Sequence, residues 1–468
     1  MKRIKPRYLH IGITFLLLLF LSLFINCSNK IKDINVILIS IDTLRPDHLS
    51  CYGYKRNTTP FLDKIANEGI LFKKVISSSS WTAPAMASLF TSLNSSKHGV
   101  VHGTVKKDDV YNQEVLQDSL VRIPTILKEH GFFTMGFANN FHLSKKLGFA
   151  KDFDVFVNSK CIDANRLNEI IFSFKNKYLK KNRKYFLWVH YFDPHWPYYS
   201  HSTWLKRYSA YLPWTKEYAS KKNFGNIDFI NLTPSEFHAK YNLRNNKDLI
   251  DILVERYDSE ISFLDRNIKK LFKELPVKDN DLVIITSDHG EEFFEHNNFT
   301  HGYNLYNETI RIPLIIKLPY FMNRKKNSLD EVGGIIDIFP TILDILNIPA
   351  YTKIEGESLL SLILNNKTPA KRTIVSELYK ENKEIISFAK GRWKYIKDFK
   401  SNNVELFDLK NDKDESENLL AKVPAINSFM ENQLISYIQS SKENKIKPKL
   451  VNPDEKTIEG LKSLGYVE

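Results

Sequence analysis

Ile34-Asn35-Val36-Ile37-Leu38-Ile39-Ser40-Ile41-Asp42 decides the fold. A strand this uniformly apolar has no face to give to water, so both faces must be covered, as in a parallel sheet flanked by helices. Runs of similar texture recur at Phe132–Phe137, Tyr185–Phe192, Asp281–Thr286 and Pro313–Lys317. Helical stretches lie between them, most clearly Asp248–Leu275, and Thr59-Pro60 marks another helix start because proline suits a first helical position. Strands alternating with helices predict a doubly wound α/β fold with a mostly parallel sheet. Such sheets bind ligands beyond the carboxyl ends of their strands, where Asp42 and Asp288 fall.

The texture changes after Arg372. Short strands are predicted at Thr373–Glu377, Ile385–Lys390, Trp393–Ile396 and Glu405–Asp408, with a helix near Pro424–Gln439. The expected division is therefore a larger unit over 34–371 and a smaller C-terminal α+β unit over 372–468. The segment 198–245, rich in Tyr, Trp, Lys and Asn, is expected to be a loop or short helical excursion near the site.

The chain has 468 residues, of which 43% are hydrophobic and 13% aromatic, enough to build a packed core and too apolar for a disordered chain. No period of 20–50 residues repeats, which argues against a solenoid or propeller. Residues 1–26 stand apart: Lys2, Arg3, Lys5 and Arg7 precede the apolar run Ile11–Ile25. That pattern suits an export signal, and Cys27 directly after it resembles the cysteine lipidated in bacterial lipoproteins. The expectation is export to the cell envelope, in a periplasm-like setting, with a membrane tether through Cys27; an uncleaved signal anchor is the alternative. The net charge is +13, and +9 without the four basic residues of that segment. Lysines cluster over 173–184 and Lys442–Lys449, faces that water can solvate or that can attract anions. No nucleic-acid-binding motif accompanies them. Beyond Cys27 only Cys51 and Cys161 remain, and the sequence leaves their pairing open.

Three segments carry the chemistry. Asp42 ends the first strand, and a carboxylate there is costly unless it is paired, metal-bound or used as a turn cap. Asp288-His289-Gly290-Glu291 ends a second strand. Carboxylates with one imidazole suit a hard or borderline divalent cation. The third segment, Trp81-Thr82-Ala83-Pro84-Ala85-Met86, places Thr82 at or just before a helix N-terminus. There it can cap the helix or serve as a nucleophilic alcohol, since both the helix dipole and a metal favour an anion nearby.

The order of segments resembles the sulfatase family of the alkaline phosphatase superfamily, from about residue 34 to the end. The matching pieces include Asp42, Thr59-Pro60, Thr82-Ala83-Pro84, Lys97-His98-Gly99, Asp193-Pro194-His195-Trp196-Pro197 and Ser287-Asp288-His289-Gly290. Leu305-Tyr306-Asn307-Glu308 with Arg311-Ile312-Pro313-Leu314, Asp337-Ile338-Phe339-Pro340, and the closing Leu461-Lys462-Ser463-Leu464-Gly465-Tyr466 continue it. The resemblance implies an alkaline-phosphatase-like fold and one divalent metal (Ca, Mg, Mn or Zn) held by Asp42, Thr82, Asp288 and His289. It implies His142 and His195 as catalytic contacts to the transferred group or leaving oxygen. Asn140 and His301 are implied as substrate contacts, with His301 also a candidate second-metal ligand. His48, His98 and His130 are expected to be structural.

The departures bear on mechanism. Thr82 and Met86 stand where the family carries the Cys or Ser and the Arg of its formylglycine motif. Thr43 replaces a second Asp, and Asn140 replaces a lysine. Threonine has one hydroxyl, so a threonyl ester has to be opened by water or an acceptor alcohol. The expected function is a metal-dependent hydrolase of anionic sulfate or phosphate esters with Thr82 as nucleophile. An envelope phosphoglycol or phosphoethanolamine transferase and a catalytically inactive binding protein are the alternatives.

Overall fold

The computed structural model describes residues 34–467, except 108–109, 180–182, 200–226, 228–230, 276, 323, 325, 351–352, 366–371, 381 and 444–445. The export segment, Cys27 and most of the 198–245 insertion lie outside the described residues. Among the described residues, no helix is long and apolar enough to cross a membrane.

The central sheet is built from β1 (Val36–Ile41), β2 (Ile70–Ile76), β3 (Phe133–Ala138), β4 (Val155–Asn158), β5 (Tyr185–Tyr191), β6 (Leu282–Ser287), β7 (Arg311–Lys317) and β8 (Ser328–Gly334). Their order is β8-β2-β7-β6-β1-β5-β3-β4. Only β7 runs against its neighbours; the other pairings are parallel. The opening strand is buried throughout and feeds two cores. Val36 and Leu38 point to one side, with α2 (Thr82–Thr91) and α5 (Ile338–Ile345). Ile37, Ile39 and Ile41 point to the other, with α1 (Pro60–Glu68), α3 (Ala164–Tyr178) and α4 (Lys247–Glu274). This two-sided burial is what the uniform apolar run predicts. β2 is less legible because Lys73 and Lys74 interrupt its apolar run.

Four antiparallel strands follow: β9 (Thr373–Lys380), β10 (Lys383–Lys390), β11 (Trp393–Asp398) and β12 (Val404–Asp408). One face packs Val375, Phe388, Tyr395 and Leu406 against Met430 and Leu434 of α6 (Pro424–Glu443). The other face, with Ile374, Leu378, Ile385 and Ile396, joins the core of the large sheet. The chain then returns to the larger unit. Lys449–Val451 pairs with Val110–Val115, and α7 (Glu455–Ser463) follows. Cys51 and Cys161 are free thiols, and burial pushes both pKa values up.

Candidate active site

Register fixes the first part of the site. Ile41 lies opposite Ser287 on one side and Tyr191 on the other, so β6, β1 and β5 end level. Asp42 and Asp288, each one residue further, emerge at the same edge. His190, paired with Ser40 on β5, joins them. Ligand atoms of Asp42, His190 and Asp288 lie within 4.8 Å of one another, all buried. His289 Nε2 is 3.4 Å from Asp42 Oδ1 and 3.4 Å from Asp288 Oδ2.

These atoms lack the partners that burial demands. Among the described residues, Asp42 Oδ1, Asp288 Oδ2 and His190 Nε2 find no partner at hydrogen-bond geometry. Orphaned buried carboxylate oxygens cost several kcal/mol unless something neutralises them. Burial and the neighbouring Asp42 charge push the Asp288 pKa up. Asp42 is held below the usual carboxylate range: burial opposes this, and His195 and His190 outweigh it. A divalent cation fits the donor set, because ligands at about 2.0–2.6 Å from one centre stand at spacings of this size. Thr43, next in the chain, sits at φ 56°, a strained region for a β-branched residue, and its N–H donates to Asp288 Oδ1 at 3.3 Å.

Thr82 enters from α2. It is the first helical residue and Trp81 occupies the cap position, so the hydroxyl does not cap the helix as one sequence reading allowed. Thr82 Oγ1 instead lies 3.3 Å from His289 Nε2 and 3.5 Å from Asn140 Nδ2. One turn on, Met86 is fully buried in the core, so it offers no charge where the family carries arginine. Asn140 donates to Asp42 Oδ2 at 2.7 Å, and its Oδ1 accepts from the His142 N–H at 2.9 Å. Asn140 therefore ties a carboxylate to the loop carrying His142.

The predicted histidines gather here. Burial pushes His142 down to about 3 and His195 to about 4, and lowers His289 and His301 as well. Both ring nitrogens of His142 are buried without a hydrogen-bond partner among the described residues. His195 Nδ1 donates to the Trp196 carbonyl at 2.6 Å, and His301 Nδ1 meets Glu291 Oε1 at 2.9 Å. Burial lifts Glu291 to about 7. Beside them a cavity of about 300 Å³ is lined by Phe141, Phe192, Asp193, His195, Glu260 and Leu464, among others. His48 and His98 are structural, against Asp258 at 2.7 Å and Ser88 at 2.9 Å.

Three residues escaped the sequence reading. His190 is an imidazole inside an otherwise apolar strand, and that mismatch was its signal. Lys380, at the end of β9, stands over the Tyr303 ring at 4.7 Å, and its Nζ is 3.1 Å from where a Cβ on Gly302 would lie. It makes no ion pair among the described residues, and burial lowers its pKa to about 8. Tyr466 brings its hydroxyl to His195 Nε2 at 2.8 Å. Both come from the region after residue 372, so only the folded topology places them here.

The chain is similar to known proteins in sequence and in fold. Arylsulfatase K of Bos taurus is 34% identical over 181 residues, which span 36% of this chain and 33% of that protein. The chain thus matches about a third of the length of such relatives. A solved structure in complex with its substrate D-glucosamine-2-N,6-O-disulfate superposes with a TM-score of 0.71 at 19% identity, over 88% of this chain and 99% of the other. The phosphonate monoester hydrolase of Agrobacterium radiobacter gives 0.67 at 16% identity, over 87% and 96%. At these identities the likeness is one of fold. A family profile for the C-terminal part of N-sulphoglucosamine sulphohydrolase matches residues 294–442. The Sulfatase profile matches residues 34–348, about two-thirds of the chain, and the protein therefore belongs to the sulfatase family of the alkaline phosphatase superfamily.

Proposed function

We propose that this chain is a metal-dependent hydrolase of sulfate or phosphate esters in which Thr82 is the nucleophile. The observation that carries the reading is the position of Thr82 Oγ1, 3.3 Å from His289 Nε2 at the edge where Asp42 and Asp288 converge. Asp42, His190, Asp288 and His289 would hold one divalent cation, which would lower the pKa of the threonine hydroxyl and polarise the ester. A neutral site histidine takes the hydroxyl proton as the oxygen attacks sulfur or phosphorus, the bond to the leaving oxygen breaks, and the histidine passes that proton to the leaving oxygen. Water then opens the threonyl ester and returns Thr82 to its free hydroxyl. Lys380 and the first turn of α2 supply the positive potential that Met86 and Asn140 do not provide.

Threonine lacks the second hydroxyl by which a formylglycine hydrate expels sulfate, so hydrolysis of the intermediate falls to water. That route favours phosphorus, where such displacement is ordinary. The test is turnover by the full chain, loaded in turn with Ca, Mg, Mn or Zn, on an aryl sulfate, a phosphate monoester and a phosphodiester. Metal-dependent release from at least one of them is expected. Complete inactivity with all four metals would overturn the reading.

We also propose that the chain is exported and tethered through Cys27. Labelling with a radioactive fatty acid in a bacterial host should mark the wild type and not Cys27→Ala. An unlabelled, uncleaved wild type would indicate a signal anchor.

A further inference from the structure

The segment after residue 449 is docked on the loop that carries His142, and it ends inside the candidate active site. Lys449–Val451 adds a third strand to the hairpin of Thr104–Lys107 and Val110–Val115. Helix α7 starts from Asp454, whose side chain accepts from Thr457 N, and it buries Leu461 completely. Gly460 sits so close to Phe141 that a Cβ there would lie 2.1 Å from the ring. Phe141 is flanked by Asn140 and His142, so the helix rests on the site's own loop. Gly465 turns at φ 77°, a conformation that glycine adopts freely, and delivers Tyr466.

The Tyr466 ring packs against His142 at 4.6 Å and Trp81 at 6.4 Å between centroids. Its hydroxyl lies 2.8 Å from His195 Nε2 and 3.3 Å from His301 Nε2. The partners fix the direction of the shorter bond. His195 Nδ1 faces a carbonyl, which can only accept, so Nδ1 carries the proton and the neutral ring offers a lone pair at Nε2. The phenol therefore donates to His195, and its oxygen accepts from His301 Nε2 in the tautomer whose Nδ1 accepts from a protonated Glu291. The two imidazoles are held 5.0 Å apart, and His301 stands 4.4 Å from His289.

We propose that Tyr466 is a positioning residue for the active site: its hydroxyl bridges His195 and His301 and fixes both rings for the transferred group. This rests on the reading of the site as an ester hydrolase, and the test separates the two. Tyr466→Phe keeps the ring against Trp81 and His142 and removes the bridge together with the hydroxyl's hydrogen bond to Thr82.

The first readout needs no substrate. In the ¹⁵N-histidine spectrum of the metal-loaded full chain, the Nε2 signals of His195 and His301 should move in Tyr466→Phe, while those of His48 stay. The second uses whichever ester the wild type turns over. There kcat should fall about 10²-fold, the scale of a small misplacement of catalytic groups, with KM within about threefold. Unmoved histidine signals would overturn the bridge whether or not any ester is hydrolysed. A kcat within twofold of wild type would overturn the positioning role. So would a raised KM at unchanged kcat, which would make Tyr466 a substrate ligand instead.

Discussion

Thr82→Ala is expected to lower kcat by at least about three orders of magnitude, and Thr82→Ser to retain substantial activity. The alanine variant has no oxygen with which to form a covalent ester, so only the weaker direct attack of water remains. The fold should survive. Thr82 is the first residue of α2 and caps nothing, Trp81 holds the cap position, and alanine is intrinsically the better helix former by roughly 0.5 kcal/mol. Matching circular dichroism and melting temperature in Thr82→Ala and wild type would check this. Activity of the wild type should not depend on any formylglycine-generating enzyme in the host, because that modification starts from cysteine or serine. Near-wild-type turnover by Thr82→Ala would leave the hydroxyl without a chemical role.

Asp288→Asn should produce opposite effects with and without metal. In the metal-free protein, burial and the neighbouring Asp42 charge raise the Asp288 pKa above its ordinary 3.8. The folded state then binds more protons than the unfolded chain, so this carboxyl erodes stability progressively as the pH rises above that ordinary value. Asparagine removes the penalty. Metal-free Asp288→Asn should therefore melt above metal-free wild type at pH 8, and the gap should close towards pH 4. With metal added the order should invert, because the variant loses a ligand and its metal affinity falls by at least about 10²-fold. Differential scanning calorimetry at the two pH values, with and without metal, checks both halves. An equal metal-induced rise in melting temperature for variant and wild type would remove Asp288 from the ligand set.

The central sheet was legible because its strands are buried on both faces and carry no competing period: Val36–Ile41, Tyr185–Tyr191 and Leu282–Ser287 each read as a nearly unbroken apolar run. Asp42 and Asp288 were legible as candidate ligands for the same reason, since a carboxylate ending such a strand stands out. The edge strand Ser328–Gly334 was not, because a half-buried strand with Asp330, Glu331 and two glycines has no such signature. His190 lay inside a recognised strand, but its partnership with Asp42 depends on which strands are neighbours, and strand order is not written in local pattern. Tyr466 and Lys380 are harder still. They lie 384 and 298 positions from Thr82 in the chain and arrive only through the docking of the C-terminal sheet and of α7. Thr82 was read as lying at or just before the helix start, and it is the first helical residue; whether threonine or tryptophan takes the cap depends on a backbone angle that Trp81 supplies with ψ 162°.

The central claim is the covalent role of Thr82, and trapping the intermediate tests it most directly. The metal-loaded enzyme is mixed with its best ester substrate, quenched in acid within the first turnovers, digested, and analysed by mass spectrometry. The account predicts one sulfuryl or phosphoryl group on the peptide carrying Thr82, localised to that residue and absent from Thr82→Ala. A burst of product with the group on another residue, or full turnover with no modified peptide under any quench, would contradict it.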